Sequence, residues 1–228
     1  MTKQWTIIVA GGSGQRMGAQ TPKQFLELRG VPVLVRTLQA FRSAVSDVGI
    51  VVVLPAEHHQ TWAEICAKYD VPEHITATGG ASRFDSVKAG LKAVPEQASL
   101  IAVHDGVRPF VSKSLVGRCF AEAEQFGSAV PVVRAVDSFR RVTEAGSECV
   151  NRDELRAVQT PQVFDAKVLR QAYEVEGGAA FTDDASVVEA LTGQVHLTEG
   201  ERTNIKITTP SDLLFGEAVI EALERNLL

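Results

Sequence analysis

Hydrophobic and polar positions along the chain alternate between two textures. Residues 5–10, 49–54, 75–78, 99–103 and 129–133 are short runs dominated by Ile, Val, Ala and Thr, the pattern of buried strands. Between them apolar residues recur at helical spacing: Leu34, Leu38 and Phe41, then Trp62, Ile65, Cys66 and Tyr69, then Phe84, Val87, Leu91 and Val94. A further stripe of Leu115, Val116, Cys119, Phe120 and Ala123 ends near Gly127. Beyond residue 154 the chain is expected to return to the core over 155–159, turn at Thr160-Pro161-Gln162, and form a helix through Val168, Leu169 and Ala172. Thr182 or Asp183 caps the next helix. Residues 204–208 alternate as a last strand with Lys206 opposite Ile205 and Ile207. Thr209-Pro210-Ser211-Asp212 then caps a final helix carrying Leu213, Val219, Ile220 and Leu223. Strand alternating with helix predicts an α/β fold, a mostly parallel twisted sheet with helices on both faces.

Residues 137–153 break this rhythm. Ser138-Phe139-Arg140-Arg141-Val142, a turn signal at Glu144-Ala145-Gly146, and Cys149-Val150-Asn151-Arg152 predict two short polar strands joined as a hairpin. Such a hairpin has too little apolar surface to be stable alone. It is expected to act as a dimerisation arm packed on a second copy of the chain.

Composition narrows the setting. The 228 residues suit one large domain spanning 1–228, with no Pro/Gly/Ser-rich linker to divide it. The 23 basic residues against 28 acidic ones leave a net charge of −5, which argues against nucleic acid or an anionic membrane as the main partner. Cations that matter are therefore local. Cys66, Cys119 and Cys149 are odd in number and contain no CxxC pair, so neither a disulfide framework nor a zinc site is indicated. Free thiols, and the absence of a signal-like or membrane-spanning apolar run, point to a soluble cytoplasmic protein.

The first run leads directly into Gly11-Gly12-Ser13-Gly14-Gln15-Arg16-Met17-Gly18, and then into Pro22-Lys23-Gln24. Glycines at a strand end let the chain turn with positive φ and bring bare amides to an anion, and Arg16 and Lys23 add two positive charges. A dinucleotide fingerprint beginning at Gly12 would need Gly or Ala where Met17 stands, and a P-loop would need Gly-Lys-Ser/Thr, which does not occur. Two further junctions have the same character. Gly79-Gly80 precedes Arg83 and Ser86 at a helix start, and His104-Asp105-Gly106-Val107-Arg108 places a carboxylate and a guanidinium at the carboxyl edge of the sheet, where open α/β sheets bind ligands.

These motifs, with Arg83-Phe84-Asp85-Ser86-Val87, Thr160-Pro161-Gln162, Thr182-Asp183-Asp184-Ala185-Ser186 and Asn204-Ile205-Lys206-Ile207-Thr208, resemble in order the 2-C-methyl-D-erythritol 4-phosphate cytidylyltransferase family over about residues 5 to 215. The resemblance implies a Rossmann-like nucleotidyltransferase fold, a homodimer interlocked through the arm, and transfer from CTP to a sugar alcohol phosphate with Mg2+ or another divalent cation. It implies that Arg16 and Lys23 are the catalytic cations. Arg152 and Lys206 would position the acceptor, helped by Ser138, Asp105 and Arg108. Ala10, Gly11, Gly12, Ser13, Gly14, Gly80, Ser86, Asp105 and Gly106 would bind nucleotide, and Asp105 is the candidate metal ligand. Ala81 stands where some members have an acidic residue, Gly106-Val107 where others have Ala-Ala, and Ser138 where others have Thr. Ribitol 5-phosphate is the rival acceptor. From other classes, a nicotinamide-dependent oxidoreductase is disfavoured by Met17, and a silent nucleotide-binding protein by the joint presence of Arg16, Lys23, Asp105 and Lys206.

Overall fold

The computed structural model describes residues 3–12, 21–175, 181–225 and 227. Strand β1 (Gln4–Val9) is followed by a short antiparallel pair, β2 (Glu27–Leu28) and β3 (Val31–Pro32), then α1 (Val33–Ala44), β4 (Gly49–Leu54), α2 (His59–Lys68), β5 (Ile75–Thr78), α3 (Arg83–Ala93) and β6 (Leu100–Asp105). The chain continues through α4 (Lys113–Phe126), β7 (Ser128–Arg134), the hairpin of β8 (Phe139–Thr143) and β9 (Gly146–Val150), β10 (Arg156–Val158) and β11 (Gln162–Asp165). It ends with α5 (Ala166–Ala172), α6 (Asp184–Thr192), β12 (Leu197–Glu199) and α7 (Pro210–Glu224).

The expected parallel sheet is present as β5-β4-β1-β6, with Val9 opposite both Val53 and Asp105. Beyond β6 it is mixed. Strand β11 runs antiparallel between β6 and β7, β10 also pairs antiparallel with β7, and β12 pairs with β7 in parallel. Alternation along the strands sends Ile8, Ile50 and Val52 to one face and Ile7, Val51 and Val53 to the other. Helices α1, α2 and α4 cover the first face through Leu38, Phe41, Trp62 and Cys119, and α3, α5 and α6 cover the second through Val87, Leu91, Leu169 and Val187. Each such side chain contributes about 1.5–3 kcal/mol of burial. A separate cluster of Leu28, Val33, Val107, Phe110, Ile207 and Ile220 seats α7.

Several expectations are corrected. Residues 204–208 form no strand: Ile207 N–H donates to Val107 O at 2.9 Å, but Val107 has already left the sheet beyond the end of β6. The alternation survives, with Ile207 fully buried and Lys206 exposed. The late strand is β12, which the apolar pattern hides because Leu197 and Glu199 face solvent. Residues 156–158 lie exposed on β10 rather than in the core, where only Gln159 is buried. Of the two expected caps of α6, Asp183 is the one used: its Oδ1 accepts from Ser186 N–H at 2.9 Å. The hairpin forms as expected, Phe139 opposite Val150 and Thr143 opposite Gly146, with nearly every residue exposed and Val142 at 83%. Among the described residues no helix is long and apolar enough to cross a membrane.

Candidate functional site

The carboxyl ends of β1, β5 and β6 open onto one cavity of about 230 Å³. The β1 end supplies Ala10, Gly11 and Gly12. Beyond the strand the ladder persists, Ala10 N–H donating to Val53 O and Gly106 N–H to Val9 O, both at 2.9 Å. A Cβ on Gly11 would come no closer than 3.8 Å to Ser86 Oγ, and one on Gly12 no closer than 3.5 Å to Lys23 Cε. Neither glycine has positive φ, so the expected left-handed turn is absent at both, and their use is to leave amides uncovered. Ser13, Gly14 and Arg16 lie outside the described residues.

Lys23 is placed by a 3-10 turn, Lys23–Phe25, held at two points. Gln24 Nε2 donates to Ala10 O at 2.9 Å, and Phe25 stacks on Trp62 with centroids 6.3 Å apart. The lysine is thereby set against Gly12 on the cavity wall.

The β5 wall is a turn built around Ser82, which caps α3. Asp85 N–H donates to Ser82 Oγ at 3.1 Å and Ser82 N–H to Asp85 Oδ2 at 3.2 Å, an arrangement worth about 1 kcal/mol to the helix. Ser86 Oγ donates to Ser82 O at 2.9 Å and accepts from Gly80 N–H at 3.2 Å. Its hydroxyl therefore shapes the Gly80 turn as well as lining the cavity.

The floor is Asp105, at the end of β6. Its backbone N–H donates to Thr160 Oγ1, which donates to His104 Nδ1, both at 3.0 Å, while His104 Nε2 donates to Arg108 O at 3.1 Å. Burial holds the His104 pKa down at about 4, so the ring is a neutral structural spacer. Asp105 Oδ2 meets Lys206 Nζ at 3.0 Å and Arg108 Nε at 3.2 Å. Burial alone would raise the carboxyl pKa, but Lys206, Arg83 and Arg108 outweigh it and hold Asp105 ionised, well below the usual carboxylate range. Arg108 is fixed in turn by donating to Asn204 O at 2.8 Å.

The structure thus brings Ala10, Gly11, Gly12, Lys23, Gly80, Ser86, Asp105 and Lys206 to one cavity. Arg108 lines an adjoining one. Gly106 is buried behind the floor, where a Cβ would sit 3.0 Å from Ala10 Cβ, so its role here is close packing. Ser138 and Arg152 are exposed on the arm side and line neither cavity; Arg152 Nη1 donates to Val136 O. Gln24 and Asp184, which hold Lys23 and Arg83 in place, were not singled out by sequence reasoning; Gln24 was within reach, since it completes Pro22-Lys23-Gln24.

Comparison with known proteins matches residues 5–222 to the family model described as IspD, 2-C-methyl-D-erythritol 4-phosphate cytidylyltransferase. A protein of that name from Bacteroides thetaiotaomicron is 52% identical over 219 residues, covering 96% of this chain and 100% of the relative. Among solved structures, 4-diphosphocytidyl-2C-methyl-D-erythritol synthase from Anaerococcus prevotii superposes with a TM-score of 0.82 at 30% identity, covering 96% of each chain. The 2-C-methyl-D-erythritol 4-phosphate cytidylyltransferase of Thermus thermophilus gives 0.77 at 36% identity, covering 97% of this chain and 100% of its own.

Proposed function

Because the chain belongs to the 2-C-methyl-D-erythritol 4-phosphate cytidylyltransferase family, we infer that its cavity joins CTP to 2-C-methyl-D-erythritol 4-phosphate, giving 4-diphosphocytidyl-2-C-methyl-D-erythritol and pyrophosphate. The observation that carries this reading is the cavity itself: uncovered glycine backbone and Lys23 on one side, Lys206 on the other, and an ionised Asp105 between.

The chemistry follows from charge. An oxygen of the acceptor phosphate attacks the α-phosphorus of CTP. A new P–O bond forms, the bond from the α-phosphorus to the bridging oxygen breaks, and its electron pair leaves with pyrophosphate. No side chain need remove a proton, since a phosphate monoester is already ionised near neutral pH. The protein's task is to bring anions together, and preorganised cations do that most effectively. Lys23 beside Gly12 suits the triphosphate; Arg16 would act with it. Lys206, the more accessible partner of Asp105, suits the acceptor phosphate.

The proposed reaction also takes a divalent cation, for which the described residues offer one ligand, Asp105, whose Oδ2 already meets Lys206 and Arg108. Among the described residues no group of three His, Cys, Asp or Glu side chains could hold an ion, but Asp105 supplies one carboxylate. Magnesium commonly takes one or two carboxylates and completes its shell with substrate phosphate oxygens and water. When bound it would neutralise triphosphate charge.

The exposed β8–β9 hairpin supports a homodimer in which arm residues 137–153 cross to a second copy and bring Arg152 and Ser138 to its cavity. Three cysteines without disulfides support a reducing, cytoplasmic setting. The test is pyrophosphate release from each nucleoside triphosphate with each sugar alcohol phosphate, with and without magnesium. CTP with methylerythritol phosphate should give the highest kcat/KM; a higher value with ribitol 5-phosphate would reassign the acceptor.

A further inference from the structure

Arg83, Asp105 and Lys206 are the described residues shared by the nucleotide-side cavity and a second one of about 270 Å³, whose further lining includes Arg108, Thr160, Thr182 and Asp183. The two walls belong to different elements. One, the nucleotide wall, is the Gly80 turn entering α3; the other, the acceptor wall, is the Thr182-Asp183 turn entering α6, which lines the second cavity with Arg108 and Lys206. Their joint is polar, and it is buried on the α6 side while Arg83 stays half-buried. Arg83, first residue of α3, meets Asp184, first residue of α6, through two parallel bonds, Nη1 to Oδ1 at 3.0 Å and Nη2 to Oδ2 at 2.6 Å. Asp184 has no exposed surface, and the Tyr173 hydroxyl donates to its Oδ1 at 2.6 Å. The next residue of α3, Phe84, stacks on Tyr173 with centroids 4.6 Å apart and on Phe181 at 6.4 Å.

Two successive residues of α3 therefore grip the other wall, one by charge and one by ring. Burial alone would favour a neutral Arg83, but Asp184 outweighs it and keeps the guanidinium charged; burial, then Asp184, raises the Tyr173 pKa and keeps its hydroxyl a donor. A joint that served stability alone could be apolar at equal or lower cost. A bidentate fork fixes orientation as well as distance.

We propose that Arg83, Asp184 and Tyr173 are positioning residues, a latch anchored on the buried Asp184 and Tyr173 that holds the nucleotide wall and the acceptor wall in one register so that the two phosphates meet in line. The inference rests on the two-substrate reading above. Loosening the latch should reduce turnover while leaving each wall able to bind.

Three variants and two measurements, with thermal unfolding as the control for folding, test it. Tyr173→Phe removes one hydroxyl and keeps the ring on Phe84, so it is the change least able to unfold the chain. Arg83→Lys keeps the charge and loses the fork. The pair Arg83→Met with Asp184→Leu replaces the latch by apolar contacts. Calorimetric binding of α,β-methylene CTP, with no acceptor present, reports the nucleotide wall; steady-state kinetics with both substrates reports the register. The latch predicts analogue binding within about threefold of wild type, with kcat lower on the order of tenfold in Tyr173→Phe and a hundredfold in Arg83→Lys, since a misplacement near 1 Å can cost that much. It also predicts that the apolar pair stays slow even where its thermal midpoint equals wild type. Wild-type kcat in Tyr173→Phe and Arg83→Lys, or in a folded apolar pair, would overturn the latch alone. Failure of the wild-type protein to bind the analogue would overturn the cytidylyltransferase reading, and the latch with it.

Discussion

Lys206 Nζ lies 3.0 Å from Asp105 Oδ2, yet the two partners differ in exposure, 41% of the lysine side chain against 12% of the aspartate. The lysine can turn to an incoming phosphate while the carboxylate stays buried against Arg108. Lys206→Ala should lower kcat/KM for the acceptor on the order of a hundredfold and leave nucleotide affinity within about threefold. Asp105→Asn is a different lesion, because it leaves Lys206, Arg83 and Arg108 facing one another; urea unfolding should show a loss of about 3 kcal/mol or more. Equal effects of Lys206→Ala on both substrates would separate the lysine from the acceptor.

Gly80 has no room for a side chain, since a Cβ there would overlap Asp85 Cβ and approach the Asp85 carbonyl carbon to 3.2 Å. Gly80→Ala should push on the cap of α3 and on the Ser86 bond, costing about 1–3 kcal/mol and weakening CTP binding by a similar factor in free energy. Thermal unfolding and calorimetry check the two parts, and an unchanged CTP affinity would remove Gly80 from the nucleotide wall.

If the arm carries Arg152 into a second subunit, two inactive variants should rescue each other. A mixed dimer of Lys23→Ala and Arg152→Ala chains has one site with both lesions and one with neither. Differential tags isolate that dimer, whose pyrophosphate release should be near half that of wild type. Background activity in a folded mixed dimer would place Arg152 with its own chain.

The three thiols should react in order of exposure. Cys149 is exposed on the arm, Cys66 is half-buried with its pKa raised by burial, and Cys119 is buried with its pKa pushed up to about 12. The thiolate is the reactive form, so at pH 8 a maleimide should label Cys66 before Cys119, which reacts only after denaturant is added, and should label Cys149 first where the arm is not packed on a second copy. Mass spectrometry of the modified peptides reads the order.

What the sequence revealed and what it hid divide along physical lines. Strands β1 and β4 were legible because both faces are buried, which makes them continuous apolar runs. The Gly-Gly and Asp-Gly junctions at their neighbours' ends were legible because turn chemistry is local. Strand β11 was not, since Gln162 is buried by hydrogen bonds to Asp183 and Ala185 rather than by apolarity. Arg83 could be placed at a helix start, but its partner Asp184 sits on another helix, and no periodicity connects them. Asp105 was read from its place at a strand end and Lys206 took its role from family resemblance; their contact belongs to tertiary structure alone.

The central place of β1 has a consequence for the chain as it is made. Its ladder needs β4 on one side and β6 on the other, so residues 100–105 must leave the ribosome before the strand is closed. At about 5–20 residues per second, an apolar strand waits roughly ten seconds with one edge unpaired. Through that interval the open edge is a template on which another chain can pair, a hazard that the closed sheet of the finished enzyme no longer presents at β1.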